Sequence, residues 1–476
     1  MRTLGFGLSA AAAVVALGCG GDGSGDGTGG TSGASSGGAS SGGASSGGTS
    51  SGGTSSGGTS SGGTSSGGSG GTGGTPSASC APLPPPSGAT VELSQGMDLT
   101  AALNSAAPGT TLLLADGNYD VSNSALYITK AGISIRGKSG DRSKVILDSK
   151  HKDNGTGGII SVRATDVTIA HLTLKEARYH AIHVSGGDSA DVTGTRIHDV
   201  HVIDPGEQGI KINANGGHYT DDGVISCSRI ELTRPGAAFV QSNVSSGSTC
   251  YTGGVDGHDA RGWVVRDNHI EGFWCEGSDL SEHGIHFWTG SRDTVVVRNV
   301  LVNNARHIGF GLVGSGRSYS DNPCPGQSKV GHYGGLIANN FMVATEAKLF
   351  ASPNGHDSGI SLWYACDAKV LHNSYASTSA PASSAIEYRF ASTSALIANN
   401  LSTHAFKARD GAKATSETNA ENAAAGDFVN VAGSDLHLTA GASVALDKGT
   451  NHSATVADDI DGDARSTTPD LGADER

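Results

Sequence analysis

"HAIHVS" (180–185), "QGIKIN" (208–213), "GGVDGH" (253–258) and "HGIHFW" (283–288) are one phrase written four times around a changing polar centre. Fainter copies follow as "RHIGFG" (306–311), "DSGISLW" (357–363) and "SAIEYRF" (384–390). In a β-strand, alternate side chains face opposite sides. Ile182 and Val184, Ile210 and Ile212, and Ile285 and Phe287 would then point into a core. His183, Lys211, Asp256 and His286 would point out. If the phrases stack as windings of a solenoid, these four polar residues share one exterior column. A second column lies two positions further on, with Ser185, Asn213, His258, Trp288 and Trp363. Glu282, His283 and Arg306 stand just ahead of their strands. "AAFVQSN" (237–243) leaves room for an extra winding between Lys211 and Asp256.

A second periodicity runs through the chain. Apolar strands lead into an asparagine at Asn268, Asn299, Asn340, Asn373 and Asn400, spaced 31, 41, 33 and 27 residues apart. Asparagine tolerates left-handed backbone geometry at tight turns, and stacked asparagines hydrogen-bond up a ladder. "DVTIAHLTL" (166–174) and "DVTGTRIHDV" (191–200) are equivalent strands without the asparagine. Short Val-, Ile- and Thr-rich runs split by turn residues indicate an all-β repeat protein. The best helical stretch is 98–107, with Asp98 as its N-cap.

The ends differ in kind from this repeat. Residues 1–19 read as a lipoprotein signal peptide, with a basic start, a short apolar run and small residues before Cys19. That ending resembles the lipobox of bacterial lipoproteins, which implies lipidation of Cys19 and export to the cell surface or outer membrane, or plain secretion. Residues 20–88 form a Gly/Ser/Thr-rich and then Pro-rich linker. The domain proper is 89–476, with a C-terminal cap from about 430. Six cysteines remain after Cys19, and an even number in an exported chain reads as disulfides. Cys227–Cys250 is the expected pair, since the two bracket an irregular excursion. The net charge of −14 argues against nucleic acid or an anionic membrane surface as partner, so any membrane contact runs through the lipid anchor. A monomer is expected.

The alternating strands over roughly 130–405 resemble the right-handed parallel β-helix of the pectin-lyase superfamily. The opening "GMDLTAALNSAAPGTTLLLADGNYDV" (96–121) resembles that family's short N-terminal capping helix and first winding. "DDIDGDARSTTPDLGADE" (458–475) resembles the tail of many secreted β-helix proteins. The resemblance implies an extracellular polysaccharide as partner, laid along the solenoid with one sugar per winding. It implies two enzyme classes and a non-enzymatic one.

A lyase cleaving a uronate-containing chain by β-elimination must neutralise the carboxylate, take a proton and assist the leaving oxygen. Lys211 is then the expected base and His286 its rival. Arg306 is the carboxylate neutraliser, and His258 or His283 the acid. Substrate contacts fall to His183, Asn213, Glu282, Trp288 and Trp363. A glycoside hydrolase would need two carboxylates, Asp256 with Glu282 or Asp259. A binding or adhesive protein would need neither. Calcium serves many members of the superfamily, and Asp221, Asp222 and Glu207 are its expected oxygen ligands. No polygalacturonase signature is present.

Overall fold

The alternation of apolar and polar residues produces strands too short to stand alone, and they are stabilised by stacking in parallel. The computed structural model describes residues 80–476 apart from Thr156 and Ser278. The expected signal peptide with Cys19, and the expected linker up to residue 79, lie outside the described residues. The front of the molecule is a ten-stranded sheet. In spatial order it runs Leu126–Ile128, Gly158–Val162, His180–Ser185, Gln208–Asn213, Gly253–His258, His283–Trp288, Arg306–Phe310, Ser358–Trp363, Ser384–Arg389 and Phe406–Arg409. Every pairing in it is parallel. A larger sheet, likewise parallel, carries the return strands of each winding. This is the expected parallel β-helix.

Register follows the apolar columns. Ile182, Ile210, Val255, Ile285, Ile308, Ile360 and Ile386 are successive partners, each no more than 2% exposed. Burying one such side chain is worth roughly 1.5–3 kcal/mol, and the column repeats that gain at each winding. Beside it, Gly257 faces Phe287. A Cβ on Gly257 would lie 2.3 Å from the Phe287 ring, so a large ring is fitted by a small partner.

At the opposite corner the five expected asparagines form a ladder. The Nδ2 of Asn268 donates to Asn299 Oδ1 (3.0 Å), Asn299 to Asn340 (3.0 Å), Asn340 to Asn373 (2.9 Å) and Asn373 to Asn400 (2.9 Å). The ladder extends one rung further, to Asn419 (2.9 Å). Each of the five carboxamides also donates to a backbone carbonyl of the preceding winding, so these buried amides are satisfied. The left-handed residue is not the asparagine itself but the one before it: Asp267, Arg298, Asn339, His372 and Asn399 have φ of 53–57°. The backbone turns there, and the ladder amide ties the turned corner to its neighbours.

Three departures from expectation have local causes. Residues 234–242 form a helix, Arg234–Ser242, capped by Thr233 and started by a proline. There is no extra winding, and Lys211 pairs directly with Asp256. Cys227 bonds Cys80, and Cys250 bonds Cys275, with Cys324–Cys366 as the third bridge. The expected Cys227–Cys250 pair does not form, because the excursion ending at Cys250 is fastened to the next excursion rather than to its own start. The Cys80 bridge also holds the Pro-rich end of the linker against the solenoid, where Arg136 donates to the carbonyls of Leu83 and Pro84. Third, the C-terminal segment lies along the flank. Phe428, Leu436 and Leu438 pack with Phe341, Ala376 and Leu401, which belong to successive windings. Arg465 donates to Asn339 Oδ1 (2.8 Å), and the Gly472 amide to Asn399 O (2.8 Å). The N-terminal helix is Leu99–Ser105, capped by Asp98 as expected.

Asn340 accepts and donates within the ladder while fully buried. Asn340→Ala should cost about 3 kcal/mol by orphaning its partners, read as a lower urea midpoint. Asn419→Ala, at the ladder's partly exposed end, should cost clearly less.

Candidate functional site

The front sheet places the exterior column in unbroken sequence. His183 pairs with Lys211, Lys211 with Asp256, and Asp256 with His286. The next partner of His286 is Gly309. A Cβ there would fall 2.7 Å from His283 Nε2, so the glycine makes room for the His283 ring to lie over the sheet beside His286. The His283 and His286 rings are 4.3 Å apart. In the second column Asn213 pairs with Ser185 and His258 with Trp288. The residues that the sequence singled out therefore share one face.

Asp256 is the hub. Its Oδ2 accepts from the Lys211 ammonium at 2.5 Å, and its Oδ1 accepts from the Trp288 indole at 2.8 Å. Lys211 Nζ is also 2.8 Å from His258 Nε2. Burial pushes the Lys211 ammonium down, but Asp256 outweighs it, and the net shift is upward. Burial pushes Asp256 up, but Lys211 and His258 outweigh that and hold its carboxyl well below the ordinary range. A base needs a lowered pKa, and the partner of Lys211 is a carboxylate rather than another cation, so its surroundings do not favour the expected role as base.

Exposure sorts the remaining candidates. His283, His286 and Arg306 are 1%, 0% and 7% exposed. Arg306 donates twice to the Ser281 carbonyl, at 3.1 and 2.6 Å. It is a buried structural arginine rather than the expected carboxylate neutraliser. His286, the expected rival base, is shut off from solvent, and so is His283, the alternative acid. Trp288, expected among the substrate contacts, is covered rather than open. It is buried between the rings of His258 (4.4 Å) and His286 (5.3 Å). Trp363 is half-buried, donates to Glu387 Oε1 at 2.8 Å, and has the Arg389 guanidinium 4.9 Å from its ring. Burial pushes Glu282 up, but His286 and Arg306 outweigh it and the net shift is downward.

His183, Asn213 and His258 stay open to the groove. The Asn213 carboxamide is oriented by its Nδ2, which donates to Ala214 O at 2.7 Å. Its Oδ1 therefore accepts from His183 Nε2 at 2.6 Å. That leaves the lone pair of a neutral His183 on Nδ1. Burial pulls the His183 pKa below its ordinary value, against the hydrogen bond to Asn213. His183 borders a cleft of about 430 Å³, lined also by Tyr127, Gly157, Ser161, Arg163 and Ser185.

The expected calcium ligands do not converge. Asp221 is clamped by Arg317 at 2.7 and 3.0 Å. Asp222 is exposed at a left-handed turn. Glu207 lies at the front sheet instead, beside His180 (3.6 Å) and hydrogen-bonded to Ser245. Asp221 is already neutralised by arginine, so it does not offer a cation its charge.

Several residues were missed from sequence. Arg163 directly follows its strand, and its only signal was adjacency to the column on the neighbouring winding. Tyr251 adds to the electrostatics around Lys211 but sits in an irregular excursion. His180 is visible in hindsight as the first residue of "HAIHVS", in the position His283 takes in "HGIHFW".

No family model and none of the curated proteins matches this chain. Solved structures similar to it include an alginate lyase from Paenibacillus sp. str. FPU-7, at 15% identity and TM-score 0.48, covering 68% of this chain and 99% of that one. The pectate lyase Pel9A is similar at 14% identity and TM-score 0.48, covering 80% and 91%. A polygalacturonase from Erwinia carotovora ssp. carotovora is similar at 10% identity and TM-score 0.40, covering 71% and 96%.

Lys211→Met leaves Asp256 buried without its cation and should destabilise the chain by about 3–5 kcal/mol. Lys211→Met/Asp256→Asn should recover most of that loss. The sign with pH follows from the two shifts. The raised Lys211 contributes stability that is present below 10.5 and lost as pH rises through its higher folded value. The depressed Asp256 contributes stability that is present above 3.8 and lost as pH falls through its lower folded value. The stability gap between wild type and the double variant should be level between these limits and shrink outside them, as measured by denaturation across pH.

Proposed function

We propose that this chain is a polysaccharide lyase cleaving a uronate-containing chain by β-elimination, exported and held at the cell surface through Cys19. The observation that carries the reading is a base, a cation and a proton carrier on adjacent windings. His183 presents the lone pair of Nδ1. Lys211 lies on the next winding, about 4.8 Å along the axis, with two of its three N–H groups engaged by Asp256 and His258. The third is available to a substrate carboxylate, where it would stabilise the charge that develops when the neighbouring carbon loses its proton. His258 accepts from Lys211 at Nε2, so its own proton resides on Nδ1. That atom has no protein partner among the described residues. In the imidazolium form, with Nε2–H donating to Asp256 Oδ2 at 3.1 Å, the Nδ1–H would protonate the leaving oxygen and leave the neutral ring behind. His183 takes the proton, Lys211 holds the carboxylate, and His258 completes the elimination.

This assignment keeps His258 as the acid and moves the base from Lys211 to His183. The hydrolase reading is less supported. Asp256 has both oxygens engaged by Lys211 and Trp288, which leaves it unsuited to attack or to activate water.

Elimination leaves a conjugated double bond that absorbs in the ultraviolet. The purified chain incubated with alginate, pectate and glycosaminoglycans should generate that absorbance on one of them. New reducing ends without it would mean hydrolysis, and retention of the polysaccharide with neither would mean a binding protein. His183→Gln should lower kcat at least about 100-fold, the usual scale of a general base. Because burial depresses His183, the acid limb of kcat/KM should lie below 6.5, activity falling as pH drops through it. An acid limb at or above that value would remove His183 as the base.

A further inference from the structure

"EHGIH" (282–286) places a carboxylate and two imidazoles together on the buried side of the ridge, with one ligand atom from each of Glu282, His283 and His286 within 4.8 Å of the others. Their hydrogen bonds do not close. His286 Nε2 is 3.2 Å from the Gly311 carbonyl. A carbonyl only accepts, so Nε2 carries a hydrogen, and Nδ1 is turned toward Glu282 Oε2 at 3.3 Å and Asp256 Oδ1 at 3.9 Å without completing a hydrogen bond to either. Both ring nitrogens of His283, Nδ1 of His286 and Oε2 of Glu282 are buried without a hydrogen-bond partner. His283 Nδ1 lies 4.0 Å from the same Glu282 oxygen. Arg306 makes no hydrogen bond to Glu282: its nearest nitrogen is 4.0 Å from Oε2, and it donates to Ser281 instead.

Buried polar atoms that converge without hydrogen-bond partners cost several kcal/mol unless something between them satisfies them. The donor set is two nitrogens and one oxygen, which suits zinc and neighbouring divalent transition ions rather than calcium. Metal–ligand bonds of about 2.0–2.2 Å imply ligand separations near the observed 3.3 and 4.0 Å. The His286 Nε2–H bond to a backbone carbonyl is the orienting contact that metal-bound histidines make. Glu282 is 17% exposed at its side chain, against 2% and 0% for the two histidines, so the ion would be reached from its side.

We propose that Glu282, His283 and His286 bind a divalent first-row transition ion of the zinc class, one winding beyond Asp256 on the same ridge. The site does not depend on the reaction proposed above, and its occupancy is read without substrate.

The test is metal content and affinity of the full chain, stripped with a chelator and reloaded with zinc chloride. One zinc per chain is expected. Glu282→Gln and His286→Asn should each weaken binding at least tenfold in competition with a chromophoric chelator. His437→Asn, in the separate His437, Asp461 and Asp474 cluster, should bind as wild type. Cobalt bound to the unsubstituted chain should show the visible spectrum of histidine ligation, so the proposal stays testable even if a variant fails to fold. A chain that takes up no zinc or cobalt overturns the proposal. So does a cobalt spectrum of oxygen ligands alone, or zinc affinity lost through His437 but not through Glu282. Activity without bound metal would leave the lyase reading standing while removing this one.

Discussion

A slip of one residue between neighbouring windings would turn Ile210 outward and Lys211 into the core. Two-residue periodicity makes register an all-or-nothing property, and the stacked apolar column from Ile182 to Ile386 holds it. The chemistry of the front face depends on that lock. His183, Lys211, Asp256 and His286 come from stretches spread over more than a hundred residues, yet they stand as neighbours. The asparagine ladder performs the same task at the far corner, where amides satisfied along the axis keep the turns aligned.

Within that frame the dominant electrostatic object is Asp256. A carboxylate so thoroughly buried is tolerated only when paired and hydrogen-bonded. Lys211 and Trp288 do this, with His258 closing the group. The pairing favours the charged form of Lys211, and the proposed elimination accordingly assigns its acid–base steps to the imidazoles bordering the groove. One winding further, the same burial without the same pairing leaves atoms of Glu282, His283 and His286 without a hydrogen-bond partner. The ridge thus changes character from a satisfied ion pair to a cluster of unsatisfied polar atoms across a single step of the helix.

Much of the fold was legible. The phrase around Ile182, Ile210 and Ile285 identified the front strands, and the asparagine spacing identified the far corner, down to five of six rungs. Asn419 was overlooked because no apolar strand of the same pattern precedes it. The left-handed column was attributed to the asparagines, although it belongs to the residue before each. The site's membership was largely legible, but its roles were not. Lys211 looked like a base among cations until the structure paired it with a carboxylate. Arg306 and Trp288 looked like surface residues, yet the neighbouring winding and the loops bury them.

The sequence alone determined the architecture and the exterior ridge, because periodicity is a local property that each strand carries for itself. Tertiary structure decided the disulfide partners, the path of the C-terminal segment and the burial and pairing of the charged groups on the ridge. Those depend on which excursion packs against which winding, and on how completely each charge is removed from water. Neither quantity is written in the spacing of residues along one chain.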